Sequence, residues 1–387
     1  MSWRERLGRN WGRLGMRSEW ITSTIDDICK LVTDGAHNSP KSVDNGYYMA
    51  SVKDFTAYGF DFSNCRKISE ADYLKLKKQG CVPESGDILV GKDGARYFED
   101  VIIYRQKEQP ALLSSIAILR VDDTKVTSEF LYYTLKSPAV KKDVRDNYGS
   151  GSAIPRIVLK DFKRMPISFP SLKEQKKITN ICELLDEKIQ LNNRINNNLE
   201  QQAQAIYQQM FIENQNPNWK EGKLSDLVAV KYGKDHKKLD GGCYPVYGSG
   251  GIMRYVEKPL YTGESVLIPR KGTLNNVMYV NGAFWSVDTM FYTEMLRPNI
   301  AKFVYHFVKG KDLASLNAGS AVPSMTTNIL NAMPLYVPDD KTLSIFEETV
   351  TPMYSQMQEN EKQSANLANI RDTLLPRLMS GELEVSD

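Results

Sequence analysis

The stretch "GSAIP" at residues 151–155 returns as "GSAVP" at residues 319–323, an interval of 319 − 151 = 168 residues. The same interval relates Met165-Pro166 to Met333-Pro334 and continues from Leu199 to Leu367. Self-similarity at a constant interval indicates a repeated structural unit. We therefore expect the chain to contain two related halves.

Earlier in each half the interval changes. "GDILVGKDG" at 86–94 corresponds to "GESVLIPRKG" at 263–272 with intervals of 177 and then 178, and Trp20 corresponds to Trp219 with an interval of 199. The two halves are thus similar at their ends and differ in the insertions between them. This pattern is expected of two variable domains joined to a repeated structural element.

Each half begins with short β-branched runs bounded by turn residues, which is the pattern of strands. In the first half these runs lie at 46–52, 86–91, 101–105 and 114–121, and the second half has "YPVYGS", "SVLIP", "NVMYVNG" and "MFYTEML". Short helices are predicted at 128–144 and 301–314. We expect an α+β fold with two β-rich domains.

Each half ends in a long helix with a narrow apolar stripe. The first is predicted from about Glu174 to Phe211, roughly 57 Å at ~1.5 Å per residue. Such a stripe needs a partner, so we expect the two helices to pack as an antiparallel two-helix coiled coil that separates the β-rich domains and relates the halves by a pseudo-two-fold axis. The predicted packing residues are Ile178, Ile181, Leu185, Asn192, Ile195, Leu199, Ile206, Asn360, Leu367, Ile370 and Leu374. Asn192 and Asn360 occupy buried positions of the pattern, where an amide fixes register at a cost in stability.

The composition argues against several classes of protein. The chain has 387 residues, a formal charge of +3, five cysteines without a C-x-x-C pair and three dispersed histidines. These features favour a reduced, cytoplasmic protein and give no zinc-binding pattern. No run approaches a membrane span, so no membrane partner is expected. The basic N-terminal extension 1–19 is interpreted as a flexible tail or an early start before Met16, with a phosphate-contacting arm as the alternative.

The sequence contains only incomplete versions of two catalytic motifs. "GDILVGKD" (86–93) fits the start of a P-loop, but Asp93 replaces the Ser or Thr that would hold Mg²⁺, and the preceding apolar residues predict a strand. "NPNW" (216–219) lacks one proline of the Asn-Pro-Pro-Tyr methyltransferase motif. No catalytic residues and no bound cofactor or metal are therefore predicted for this chain.

Two basic turns fall at the same place in the two halves. "GKDGAR" (91–96) and "IPRKG" (268–272) each follow an apolar strand and carry a glycine beside cations. They are either solvated turns or surfaces that hold DNA phosphates and guanine edges. The small-residue motifs at 151–155 and 319–323 are either hinges or backbone contacts to DNA. The predicted DNA-binding residues are Lys92, Asp93, Arg96, Ser152, Arg156, Ser249, Arg254, Arg270, Lys271, Asn275 and Ser320.

Residues 229–282 carry eight Lys and Arg against four Asp and Glu, a local charge of 8 − 4 = +4. Five tyrosines, Tyr232, Tyr244, Tyr247, Tyr255 and Tyr261, are interleaved with these cations. Basic residues alternating with aromatics favour a nucleic-acid surface, although strand tyrosines also serve as core packing.

The chain resembles the specificity subunit of type I restriction–modification systems over roughly residues 20–383. "MPISFPSLKEQKKI" (165–178) and "LEQQAQAIYQQMF" (199–211) are similar to the beginning and end of that family's central helix, and "LANIRDTLLPRLMSGELEV" (367–385) to its C-terminal signature. "YGSGGIMRYVEKPL" (247–260) with "FWSVDT" (284–289) is similar to a form of its target-recognition domain. Thr342-Leu343 stand where Glu174-Gln175 stand in the first half, so the second helix start departs from the pattern.

The resemblance implies target-recognition domains at 20–171 and 216–339, a central spacer helix at 172–215 and a C-terminal spacer helix and tail at 340–387. It implies a non-catalytic subunit that reads a bipartite, asymmetric double-stranded DNA target. It also implies two modification subunits that use S-adenosylmethionine, and motor-endonuclease restriction subunits that use ATP and Mg²⁺. The alternatives are a stand-alone DNA-modifying enzyme and a coiled-coil scaffold that does not read DNA.

Overall fold

The computed structural model describes residues 20–94, 96–149, 155–316, 324–383 and 385. These residues fall in two compact units, divided at Gln190/Leu191 and again at Lys362/Gln363. Both divisions lie inside long helices, Leu172–Tyr207 and Asp340–Met379. The first unit therefore contains one end of each helix, and the second unit contains the other.

The strands of the first unit form one four-stranded sheet and three smaller sheets. They are β1 (Ile21–Thr24), β2 (Cys29–Asp34), β3 (Tyr47–Ala50), β4 (Phe55–Thr56), β5 (Gly59–Phe60), β6 (Lys67–Ile68), β7 (Ile88–Gly91), β8 (Val101–Ile103), β9 (Ala111–Leu112), β10 (Ile116–Val121) and β11 (Pro166–Phe169). The main sheet is antiparallel in the order β2-β10-β7-β8. β3 pairs antiparallel with β6 and parallel with β9.

The central strand β7 is apolar on both faces of this sheet. Ile88 and Val90 belong to one buried cluster, whereas Leu89 packs in another. Alternate side chains of a strand point to opposite faces, so a continuous apolar run is what a doubly covered strand requires. The prediction that residues 88–90 form a strand and not a phosphate-binding loop is confirmed.

The helices of the first unit are short apart from the long ones: Ile25–Ile28, Glu70–Lys78, Ser128–Lys136, Pro138–Asn147 and Leu159–Lys163. The single helix predicted at 128–144 is thus wrong. Ser137 has an extended backbone, and its side chain caps the next helix at Val140. Pro138 occupies the first turn of that helix, where its missing N–H costs nothing.

The second unit contains a six-stranded sheet in the order β13-β18-β16-β17-β14-β15 and a two-stranded sheet, β12-β19. The strands are β12 (Lys220–Lys223), β13 (Val228–Tyr232), β14 (Tyr244–Gly248), β15 (Gly251–Val256), β16 (Tyr261–Pro269), β17 (Met278–Ser286), β18 (Met290–Met295) and β19 (Pro334–Val337). Its short α-helices are Ala301–Lys309 and Thr327–Asn331. The first long helix ends in a π-helical segment, Gln208–Glu213.

The internal repeat is visible in strand register. Ile21 pairs with Phe169 in the first unit and Lys220 with Val337 in the second. These pairs are related by 220 − 21 = 199 and 337 − 169 = 168, the two intervals found in the sequence. A backbone hydrogen bond repeats in the same way, from Ile25 N to Met165 O and from Leu224 N to Met333 O, both at 3.0 Å. The sequence repeat therefore corresponds to a structural repeat, in which strand pairs and individual backbone hydrogen bonds recur.

Within the first unit, Ile178, Cys182, Leu375 and Leu378 from the two long helices share one buried cluster with the sheet. A partly buried ion pair joins the helices there, with Arg371 Nη1 2.5 Å from the buried Asp186 Oδ1. The hydroxyl of Tyr133 donates to the other oxygen of Asp186 at 2.8 Å. Burial and the nearby Asp186 charge raise the pKa of Tyr133, so the phenol stays protonated.

Within the second unit, the helices meet through amides and aromatic rings. Asn192 Nδ2 donates to the carbonyl of Asn360 at 3.4 Å, and Asn360 Nδ2 donates to Asn196 Oδ1 at 2.8 Å. Farther along, Tyr207 and Phe346 pack edge to face. Residue numbers increase on one helix as they decrease on the other, so the packing is antiparallel.

The predicted helix stripe is displaced from the observed one. Ile370 is 44% exposed, so its assignment as a packing residue is wrong. Ile181, Leu185, Ile195, Leu199, Ile206, Leu367 and Leu374 are half-buried, whereas Cys182, Asp186, Ile189, Ala203 and Tyr207 are buried. The helices pack against the β-rich parts as well as against each other, and the buried stripe includes small and polar residues that an apolar pattern omits.

Candidate nucleic-acid interface

Two turns occupy the same backbone position in the two units. The first turn, Lys92–Gly94, follows β7, and the second turn, Arg270–Gly272, follows β16. Gly94 and Gly272 have φ values of 97° and 84°. Glycine adopts this region at little cost, which explains its place in both turns.

Each turn is tied to the chain that follows a small-residue motif. Ile157 N donates to Lys92 O at 3.0 Å, and Met325 N donates to Arg270 O at 2.9 Å. Single bridges pair Asp93 with Arg156 and Lys271 with Ser324. The motif residues Ser152 and Ser320 lie outside the described residues. The described residues that follow each motif, Arg156-Ile157 and Ser324-Met325, lie against the corresponding turn.

Lys92 is not the exposed cation that its position in a turn predicts. Its side chain is 9% exposed, and Nζ lies 3.3 Å from Asp34 Oδ2 and 3.6 Å from Asp93 Oδ1. A direct phosphate contact by Lys92 is therefore wrong for this conformation. Its charge instead sits beneath the turn, between two carboxylates.

The exposed groups of the first turn are Asp93 in part and Arg96 and Arg156 more fully. Arg96 pairs with Asp100 at 2.9 Å, an exposed contact that an incoming phosphate can replace at small cost. Arg156 lies beside Asp93 through the bridge between their backbones. The structure thus brings Lys92, Asp93 and Arg156 together.

In the second turn, Lys271 is exposed and Arg270 is half-buried. The guanidinium of Arg270 lies 5.3 Å from the ring centre of Tyr232, and Nη1 donates to the carbonyl of Asp288 at 3.3 Å. A cation over an aromatic face is held in place without losing its charge. This turn therefore presents two cations beside a half-exposed tyrosine.

The loop between β14 and β15 reaches the second turn. The carbonyl of Ser249 accepts from Asn276 Nδ2 at 2.7 Å, and a Cβ on Gly272 would meet Ser249 Oγ at 2.9 Å. Asn275 is exposed, but its side chain binds Asp312 and the backbone N–H of Ala314. Ser249, Arg270, Lys271 and Asn275 thus belong to one stretch of surface.

Arg254 does not join this group through its side chain, which donates to the carbonyl of Leu239 at 2.8 Å. The tyrosines also divide: Tyr232 and Tyr255 are exposed, whereas Tyr244, Tyr247 and Tyr261 pack against a buried cluster. Sequence alone cannot separate these two groups, because both alternate along strands.

Gln175 is a buried tie that the sequence analysis did not assign. Nε2 donates to the carbonyls of Pro170 and Lys125 at 2.9 and 3.0 Å, and Oε1 accepts from Thr127 N at 2.9 Å. The corresponding residue of the second half, 175 + 168 = 343, is Leu343, which is buried in an apolar cluster. The altered helix start in the second half therefore replaces a polar tie by apolar packing.

Within the described residues, no group of three or more His, Cys, Asp or Glu is arranged to hold a metal ion. None of the described helices is both long and apolar enough to cross a membrane. Burial is the main reason that the pKa of the half-buried Cys29 and of the buried Cys182 is raised to about 12, so both thiols remain protonated.

Comparison with known proteins agrees with this two-unit repeat. The profile of the type I restriction modification DNA specificity domain matches residues 17–201 and again 216–364. The MjaIX type I restriction enzyme specificity subunit of Methanocaldococcus jannaschii is 22% identical over 68% of this chain and 70% of its own length. A putative type I specificity subunit of Mycoplasma pneumoniae, S.MpnORF638P, is 24% identical over 68% of this chain and 76% of its own.

The fold is similar to the crystal structure of a type I restriction–modification S subunit from M. genitalium. That structure has a TM-score of 0.55 and 20% identity, and the match covers 95% of this chain and 98% of that one. Two matched domains, each with a glycine-containing turn after a buried strand, define an internally repeated protein. The chain belongs to the type I restriction–modification specificity subunit family.

Proposed function

We propose that this chain reads a bipartite, asymmetric target on double-stranded DNA, one half-site with each β-rich unit. The observation that carries this proposal is the pair of turns with the same backbone bonds and different side chains. Two turns with the same backbone structure can meet the same part of a DNA duplex, while their different side chains select different bases. Phosphate contacts then supply salt-dependent affinity, and base contacts supply discrimination.

The paired long helices set the number of base pairs between the half-sites. Their antiparallel contacts in each unit support this role, because a fixed register of the two helices gives a fixed length. Half-site centres about one helical turn of DNA apart, near 10 bp, are expected.

Catalysis belongs to partner subunits in this proposal. Two copies of a modification subunit would bind S-adenosylmethionine and methylate adenine, and restriction subunits would use ATP and Mg²⁺. This chain would bind none of these cofactors and would act in the cytoplasm as the recognition subunit.

A methylation assay on the purified chain tests this assignment. Incubation with labelled S-adenosylmethionine and DNA should transfer methyl groups only when modification subunits are added. Methylation by this chain alone would show a stand-alone modifying enzyme instead.

A filter-binding salt titration of the complex separates DNA reading from scaffolding. The logarithm of affinity should fall steeply with the logarithm of salt concentration, because basic side chains release counterions from DNA. Substituting Arg96 and Arg270 together by Gln should reduce this slope. A slope that these substitutions leave unchanged would remove the turns from the interface.

A further inference from the structure

The two turns carry opposite charges at one structural position. Ile157 N binds Lys92 O, and Met325 N binds Arg270 O, so Lys92 corresponds to Arg270 and Asp93 corresponds to Lys271. The bridging partners, Arg156 and Ser324, are themselves related by 324 − 156 = 168. At the same backbone position the first unit thus has a carboxylate and the second has an ammonium group.

The buried oxygen of the Asp93 carboxylate faces the ammonium group of Lys92. Its Oδ1 is buried without a hydrogen bond, 3.6 Å from the buried Nζ of Lys92, while the side chain as a whole is 29% exposed. Asp34 binds the other side of Lys92 at 3.3 Å. The exposed part of Asp93 therefore lies away from its counterion, toward solvent.

Lys271 stands in a different environment. It is exposed, and no carboxylate oxygen of the described residues lies within 4 Å of its ammonium group. Arg270, next to it, is occupied by Tyr232 and the carbonyl of Asp288. Lys271 is therefore the cation of the second turn that can reach outward.

The chemistry of the two groups assigns them different bases. An ionised carboxylate only accepts hydrogen bonds and is repelled by phosphates, so on a DNA-facing surface it suits an exocyclic amine. In the major groove these amines are N4 of cytosine and N6 of adenine. An ammonium group only donates, and the O6 and N7 acceptors of guanine suit it.

We propose that Asp93 accepts a hydrogen bond from the exocyclic amine of a cytosine or adenine in one half-site, and that Lys271 donates to the guanine edge in the other. Lys92 acts as a positioning residue that fixes the Asp93 carboxylate from below. The proposal rests on the proposed function and adds to it the residues that make the two half-sites different.

The test uses the full chain expressed with modification subunits in cells, with methylated adenines mapped across the genome. The wild-type chain should give a split motif. Asp93→Asn should relax or change one letter in one half-site, and Lys271→Met should relax a guanine in the other half-site. The wild-type complex should bind its target at least roughly ten-fold more tightly than DNA altered at that letter. The purified variant complex should lose most of this difference in affinity.

Matched controls are Asp123→Asn in the first unit and Lys220→Gln in the second, exposed charges away from the turns. Both should leave all letters unchanged. Lys92→Met should relax the same letter as Asp93→Asn, and Lys92→Arg should restore part of the discrimination, which a loss of stability alone would not do.

The outcomes separate this inference from the proposed function. Absence of a split motif with the wild-type chain contradicts the proposed function itself. A wild-type split motif that Asp93→Asn and Lys271→Met leave unchanged overturns only the assignment of these residues. A uniform loss of affinity for all sequences with Lys271→Met, with a salt slope smaller by about one, would make Lys271 a phosphate contact and overturn its base contact.

Discussion

Lys92 is a buried cation between Asp34 and Asp93, and removing its charge leaves two poorly solvated carboxylates close together. Breaking a buried ion pair from one side typically costs about 3 kcal/mol. Lys92→Met should therefore lower the free energy of unfolding by about that amount, measured by urea denaturation. Lys78→Met, at an exposed helix position, should change it by less than about 0.5 kcal/mol. Equal stability of the two variants would show that the Lys92 charge is not paired.

His306 is a buried histidine whose neutral form satisfies both ring nitrogens. Nδ1 lies 2.7 Å from Gln204 Oε1, and Nε2 lies 2.9 Å from the hydroxyl of Tyr354. Burial lowers its pKa to about 4, from an ordinary value of 6.5. The unfolded chain thus binds a proton that the folded chain does not between these two pH values.

Stability from His306 is consequently complete above pH 6.5 and is lost as the pH falls toward 4. The full effect is about 3 kcal/mol, from the size of the pKa shift. In urea denaturation at a series of pH values, His306→Gln should remove this part of the pH dependence. His37→Gln, whose side chain is 75% exposed, serves as the control and should retain it. If His306→Gln has the wild-type pH profile, the ring is not held neutral.

At the scale of elements, the amide contacts of the second unit mark the symmetry of the repeat. Asn192 and Asn360 are related by 168, and they bind each other. In an antiparallel pair of related helices, a residue can contact its own counterpart only at the pseudo-two-fold axis. Within the second unit, a local two-fold axis that relates the two helix segments therefore passes beside these asparagines.

The amide network should couple energetically. Asn360 donates to Asn196 at 2.8 Å, and Asn196 donates to the carbonyl of Met357 at 3.1 Å. In a double-mutant cycle of Asn196→Ala and Asn360→Ala, the unfolding free energies should show a coupling of about 1 kcal/mol. The exposed Asn197, paired with Asn360 in a control cycle, should give none. Additive effects in the first cycle would mean that the network does not hold the register.

The sequence predicts a strand or helix correctly where the spacing of its apolar residues and its flanking turn residues indicate the same element. β7 and β10, and the long helices, follow from apolar runs and from three-and-four spacing. The buried face of the first long helix did not follow, because Cys182, Asp186 and Ala203 are buried through contacts with distant residues. Polar and small residues enter a buried stripe when partners such as Arg371 satisfy them. That information lies in the tertiary structure and not in the local pattern.

At the scale of the whole molecule, the repeat intervals in the sequence identify the matched turns. The intervals 168, 178 and 199 correctly pair strands, turns and hydrogen bonds of the two units. The intervals do not show which turn residues are exposed. Lys92 and Arg270 have equivalent backbone positions, yet one is buried by Asp34 and the other rests on Tyr232. Exposure depends on neighbouring side chains such as Asp34 and Tyr232, which the intervals do not specify.

The length of the long helices provides the most direct test of two-part DNA reading. One added helical turn within residues 180–205 lengthens the first helix by about 5.4 Å, equivalent to about one or two base pairs of DNA at 3.4 Å each. Methylated adenines mapped in cells that carry the modification subunits should then show both half-sites unchanged and the gap between them wider by that amount. Altered half-site letters, or an unchanged gap in an active complex, would contradict the account.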